Sequence, residues 1–201
     1  VAAGVAAETP ETMTLVRDGK ACFRIVTVDR PSRELQQGLD DLVRFTREST
    51  GAKVETVPES KFDPAAGGAP INLHVGLTDY VKKRNLDLPR PYGFLIHFAD
   101  DKNIVIAGGR AEGADFNTLD GISCFLETFL GVRFLMPGEL GTHVPCHEGD
   151  WVVPRRDIRH IPDCFVRKLA GVHGQAYGPK ERVQQAGSFA WALRSGVTPG
   201  A

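Results

Sequence analysis

The stretch Ile104–Pro145, "IVIAGGRAEGADFNTLDGISCFLETFLGVRFLMPGELGTHVP", decides the fold. It opens with an apolar run rich in Ile and Val, the mark of a buried strand. Gly108 and Gly109 end that run. A helix follows, with Asn117 as N-cap and Asp120 three residues on, as in a capping box. Leu119, Ile122, Leu126, Phe129 and Leu130 form its apolar stripe, and Gly131 stops it. "VRFL" then reads as a strand, and Pro137-Gly138 as a turn.

Upstream, "MTLVRDGKACFRIVTVD" predicts a hairpin, Met13–Val16 and Ala21–Val28 flanking the turn signal Asp18-Gly19. "SRELQQGLDDLVRFTRESTG" predicts a helix capped by Ser32, stopped by Gly51, with Leu35, Leu39, Leu42 and Val43 on one face. "KVETV" and "INLHVG" read as strands, "PESKFDPAAGGAP" as a loop, and "TDYVKKRNL" as a short helix. "YGFLIHF" and "IVIAGG" flank "ADDKN" as a second hairpin. Helix, glycine, short basic-apolar strand thus occurs twice, at Gly51 and at Gly131. Strands mixed with two main helices predict an α/β (α+β) domain: a mixed, largely antiparallel sheet with both helices packed on it.

The remainder has another character. Trp151–Val153 and Phe165–Ala170 read as strands, followed by a basic-polar stretch and a short amphipathic piece near Trp191. The expected division is 1–11, a disordered segment or signal-peptide remnant; 12–161, an N-terminal α/β domain; and 162–201, the truncated start of a second domain. "VAAGVAA" places small residues ahead of a cleavage point, which leads to an expectation of a secreted or periplasmic protein; a floppy Ala-rich terminus is the alternative.

The composition excludes several classes. A net charge of −1 leaves no electrostatic footprint for nucleic acid, and no run of eighteen apolar residues exists to span a bilayer. The four cysteines, Cys22, Cys124, Cys146 and Cys164, are scattered without a CxxC pair and do not fix the redox compartment.

Four chemistries were weighed. Strand, glycine turn, helix is the order of a dinucleotide fold, but Gly108, Gly109 and Gly113 give GGxxxG rather than GxGxxG, and the helix starts too late to meet a phosphate. His143, Cys146 and His147, with His160 and Cys164 beyond, contain zinc-ligand types without an established spacing, so no metal or cofactor is expected. Asp40-Asp41 and Asp100-Asp101 lie on a helix exterior and in a hairpin turn, facing solvent rather than each other across a sugar. Ser123 falls inside a helix, and no GxSxG exists to raise a nucleophile.

On the residues Phe125-Leu126-Glu127, Leu130-Gly131, Arg133-Phe134-Leu135 and Pro137-Gly138-Glu139, the chain resembles the N-terminal α/β domain that precedes the catalytic barrel in glycoside hydrolase families 20 (β-hexosaminidases) and 67 (α-glucuronidases). It also resembles large uncharacterised bacterial proteins of that architecture. The likeness covers about Thr12 to Pro162. Asp120 and Ser123 stand where the pattern has tyrosines, and Phe134 where it has tryptophan. The resemblance implies a non-catalytic accessory domain whose partners are the barrel in the same chain and, through that barrel, a glycan. It implies that Arg167 is the nearest equivalent of a sugar-binding arginine early in the barrel. It also implies that this chain alone is inactive while the whole protein is a glycosidase. A free-standing carbohydrate- or protein-binding module and a nucleotide-binding domain are the alternatives. Glu139 reads as a turn or interface residue.

Overall fold

The computed structural model describes residues 11–65, 70–89, 93–109, 114–162, 168–173, 191, 194 and 198–200. The strands are β1 (Thr12–Arg17), β2 (Lys20–Ala21), β3 (Phe23–Thr27), β4 (Thr56–Pro58), β5 (Ile71–Val75), β6 (Phe94–Asp100), β7 (Asn103–Gly108), β8 (Arg133–Phe134), β9 (Thr142–His143), β10 (Trp151–Pro154), β11 (Ile158–His160), β12 (Lys168–His173) and β13 (Thr198–Gly200). The helices are α1 (Arg33–Thr50), α2 (Asp79–Lys83) and α3 (Ala114–Phe125).

The chain is a mixed α/β fold. Its main sheet has six strands in the order β11-β6-β7-β5-β3-β4. β4, β3, β5 and β7 run parallel; β6 and β11 are antiparallel additions at one side. Within this sheet the parallel pairings outnumber the antiparallel ones, where the sequence weighted the hairpins. The reason is β3. Asp18-Gly19 does turn the chain, with Asp18 at φ 49° and Gly19 at φ 69°. But β2 pairs with β1 over only two residues. The chain then leaves at Cys22, and β3 enters the large sheet between β4 and β5. Phe23, Ile25 and the apolar residues of β5 need burial on a common face, and that need outweighs continuing the hairpin.

Alternation along the strands sorts the sheet's two faces. Phe23, Ile25, Leu73, Val75, Ile104, Ile106, Phe94 and Ile96 face α1 and α3 in one large core. The small sheet β10-β1-β2 closes the same core with Leu15, Trp151 and Val153. The opposite face is split. Val105 and Ala107 pack under Val81 and Leu88, at and beyond α2. Arg24, Asn72, His74 and Asn103 form a polar half instead: Arg24 Nε donates to Asn72 Oδ1 (2.9 Å), Asn72 Nδ2 to Asn103 Oδ1 (3.3 Å), and the His74 ring meets the same oxygen at 3.1 Å.

α1 begins and ends as its sequence implies. Ser32 accepts from the Leu35 amide at 3.2 Å, and Gly51 closes the helix in the left-handed region at φ 74°. α3 differs. Asn117 is inside the helix and buried, not its cap, because the helix starts at Ala114. The final turn, Leu126–Leu130, widens into a π turn before Gly131 at φ 78°. Among the described residues β8 does not join the main sheet and pairs only with β9. Among the described residues no helix is long and apolar enough to cross a membrane.

Candidate functional site: a docking seam

The π turn organises the conspicuous stretch. Widening a helix leaves carbonyls without their usual partners, and each buried one needs a donor. Three side chains supply them. Arg133 Nη1 donates to the Glu127 carbonyl (2.7 Å), Trp151 Nε1 to that of Phe129 (2.8 Å), and His147 Nε2 to that of Leu130 (3.1 Å). The Trp151 ring is fully buried, edge-on to Phe23 and Phe125. Phe125, Leu126 and Leu130 are core residues, so the "FLE…LG" part of the stretch is structural.

From Gly131 onward the chain runs beside α1. Ser49 donates to the Pro145 carbonyl at 2.6 Å, and the His147 amide to that of Ser49 at 2.8 Å. Arg44 bridges Glu48 (2.8 Å) and Glu139 (2.7 Å). The Arg44 hydrogen bond holds the Glu139 carboxyl below its usual range, and both carboxylates hold the guanidinium charged. Glu139, beside the Pro137-Gly138 turn, is thus tied to a cation on α1 rather than aimed into a cleft.

The same strip receives Trp191 and Arg194. Arg194 makes a two-pronged bond to Asp41, 2.7 Å at each oxygen, with the side chains only 14% and 6% exposed. Its guanidinium also lies over the rings of Phe45 (5.8 Å) and Phe134 (5.5 Å). Trp191 Nε1 donates to the Phe134 carbonyl at 3.1 Å. Planarity and paired donors make arginine the residue that fits a carboxylate and two ring faces at once. Asp41 therefore does not face solvent as expected. Asp40 does, accepting only from Gln36 (2.8 Å) on the helix surface.

The other expected chemistries find no support. The Gly108 amide donates to Thr118 Oγ1 (2.9 Å) and the Gly109 amide to the Gly93 carbonyl (3.0 Å), so neither is free to cradle a phosphate. No group of metal-binding side chains converges among the described residues. His147 spends one ring nitrogen on Leu130, His160 stacks on Phe94 at 5.1 Å, and Cys146 is a free thiol. Cys164 and Arg167 lie outside the described residues. Asp100 is held by Arg84 (3.0 Å) and Asn103 (2.8 Å), while Asp101 meets Arg155 (2.7 Å). Ser123 is buried in α3. Burial raises the Cys124 thiol, which disfavours its thiolate.

The polar half of the second sheet face is the other cluster to weigh. His74 is buried between the Tyr80 ring, stacked at 4.0 Å, and the edge of Phe62. Burial lowers its pKa, more than the Asn103 hydrogen bond raises it. Arg24 Nη2 donates to the Asp63 carbonyl (3.0 Å), and its guanidinium covers Phe62 at 4.8 Å. These bonds fasten the 59–63 segment to the sheet. Arg24 and Asn103 stand near the starts of β3 and β7, and each polar atom named here is spent within the cluster or on that segment.

Sequence reasoning missed Asp41 as a partner, along with Trp191 and Arg194. The available signal was small: an acid beside the apolar stripe of α1, and a Trp–Arg pair three apart in an amphipathic piece.

No family model matches the sequence, and none of the curated proteins compared with it does. Solved structures do resemble the chain. A family GH115 4-O-methyl-α-glucuronidase with specificity for decorated arabinogalactans is similar over 94% of this chain and 25% of its own, at 11% identity and a TM-score of 0.51. The GH20 β-N-acetylhexosaminidase of Streptomyces coelicolor A3(2) is similar over 79% of this chain and 26% of its own, at 18% identity and a TM-score of 0.42. A Streptomyces plicatus β-hexosaminidase covers 79% at 16% identity, with a TM-score of 0.39. The chain spans about a quarter of the length of each. The likeness is one of fold. The α-glucuronidase found belongs to family 115, where the sequence pattern pointed to family 67.

Proposed function

We propose that this chain is the non-catalytic N-terminal accessory domain of a glycoside hydrolase, joined to the opening of its (β/α) barrel. Residues 12–161 form the accessory domain, and 162–201 begin the barrel. Residues 1–11 are the remnant of an export signal, making the protein secreted or periplasmic. The accessory domain braces the barrel and shapes one rim of the glycan cleft; Arg167 lies on the barrel side and contacts sugar.

The observation that carries this reading is the seam. A buried ion pair joins Arg194, beyond the proposed boundary, to Asp41 in the middle of α1. Two charges are taken out of water only where the geometry repays their desolvation, which makes the contact specific rather than incidental. β12 and β13 pair in parallel, the relation that successive strands of a (β/α) barrel keep. The fold-level likeness to a GH115 enzyme supports the same architecture.

The test is an aryl-glycoside panel run on the intact protein and on the 201-residue chain. Turnover by the intact protein with none by the chain is expected. Turnover by the chain itself overturns the accessory role.

A further inference from the structure

The loop that follows β8 exposes apolar side chains where a folded surface ordinarily hides them. Leu140 is fully exposed (100%), Leu135 is 72% exposed and Met136 56%. They stand within six positions of one another, whereas the other exposed large apolar side chains among the described residues are scattered singly at Phe116, Val152 and Ile161. Scattered apolar residues are ordinary, whereas a group of them marks an interaction surface.

The loop holds them rigidly. The Leu135 amide donates to the Gly141 carbonyl at 2.8 Å, and Thr142 Oγ1 to that of Gly138 at 3.4 Å. A Cβ on Gly141 would lie 2.1 Å from the Met136 carbonyl oxygen, so the two arms of the loop touch backbone to backbone. The Glu139–Arg44 pair pins the tip to α1. An ordered loop that leaves three apolar side chains in water forgoes the gain that covering them would bring.

What covers it is indicated by its neighbour. Phe134 precedes Leu135 directly, and Phe134 already receives Trp191 on its carbonyl and Arg194 on its ring. The apolar lip lies in the loop that leaves that contact directly. We propose that Leu135, Met136 and Leu140 form a docking lip for the barrel in the same polypeptide, buried against an apolar part of it that lies beside the Trp191–Arg194 contact. This rests on the accessory-domain reading above. The mixed character fits a lasting contact within one chain: an apolar centre beside a desolvated Arg–Asp pair, with Arg44 and Glu139 at the rim.

Hydroxyl-radical footprinting of the intact protein tests it, each side chain being scored against the urea-unfolded state, with Val152 as the exposed comparator. The expected result is several-fold protection of Leu135, Met136 and Leu140, but not of Val152, and a Leu140→Asp variant whose intact form melts about 2–8 °C lower. Labelling of the lip at the rate of Val152 overturns the proposal. So does protection that fades on dilution, which assigns the lip to a second copy of the chain. If the lip is unprotected while aryl-glycosides are cleaved, only the lip fails. If it is protected and Leu140→Asp lowers the melting temperature while no glycoside is cleaved, the lip stands as an interdomain contact and the glycosidase reading falls.

Discussion

Two parts of this molecule are written in nearly the same local code and end in different places. α1 stops at Gly51 and is followed by "AKV"; the helix from Ala114 stops at Gly131 and is followed by "VRF". Both glycines hold left-handed φ values, 74° and 78°. After Gly51 the chain returns to the main sheet, where β4 lines up parallel to β3. After Gly131 it pairs only with β9 and becomes the floor of the seam. The difference lies in the last turn of each helix. α1 ends as a regular α-helix, its Gly51 amide closing on the Arg47 carbonyl and a single later backbone amide, that of His147, meeting the Ser49 carbonyl. The second ends in a π turn whose carbonyls draw in Arg133, Trp151 and His147 from three later points in the chain. Those donors hold the following strand beside α1. The main sheet is meanwhile closed on that side by β11, paired to β6. A local pattern sets the helix stop; the partners recruited by the leftover carbonyls set where the next strand goes.

The comparison breaks first at Trp151. Trp151→Ala removes a fully buried ring and the donor to Phe129, and is expected to cost about 3–5 kcal/mol in urea unfolding. Trp151→Phe keeps most of the packing and isolates the lost donor, at about 1–2 kcal/mol. Equal costs for the two would mean that the π turn does not depend on its indole cap. Next comes the seam. Asp41→Ala leaves the Arg194 guanidinium without its carboxylate and should cost about 3 kcal/mol, whereas Asp40→Ala, one residue away, should fall within about 0.5 kcal/mol. Equal effects would place Asp41 among ordinary surface acids.

The glycines sharpen the contrast. A Cβ at Gly51 meets nothing within 4 Å, while at Gly131 it would come 3.2 Å from Pro145 Cγ. Gly51→Ala should therefore cost about 1–2 kcal/mol, the backbone term alone, and Gly131→Ala more than that. The smallest effect belongs to Glu139→Gln. That carboxylate is exposed and Arg44 keeps Glu48, so the melting temperature should not move measurably. A clear drop would give Glu139 a role beyond pinning the loop.

Much of this was legible in the sequence, for physical reasons that can be named. Ser32, Gly51 and the spacing of Leu35, Leu39 and Leu42 specify α1 because capping and amphipathicity are local properties. Asp100, Asn103 and the apolar runs beside them specify the β6–β7 hairpin for the same reason. The early break at Cys22 was not legible. It depends on which distant strands compete for β3, and these lie dozens of residues downstream. Nor was the π turn, whose freed carbonyls are met by donors at 133, 147 and 151. The start of α3 was misread because Asn117 has a capping residue's chemistry, and only the fold buries it. In the candidate site, Glu139 could be placed at a turn from Pro137-Gly138. Asp41 could not be placed from its neighbours, since what distinguishes it from Asp40 is a guanidinium 153 positions later.

The pairing of β1 with β10 sets a timetable for the molecule. Thr12 lies opposite Pro154 and Met13 opposite Val153, so β1 is held by a strand made about 140 residues after it. At about 5–20 residues per second, some 7–30 seconds of synthesis separate them. Through that interval β1 has the short β2 pairing on one edge and nothing on the other, and the core under Met13 and Leu15 stays open until Trp151 arrives. Trp151 is made well before Trp191 and Arg194, so the small sheet can close on the core before the residues that meet Phe134 and Asp41 are synthesised.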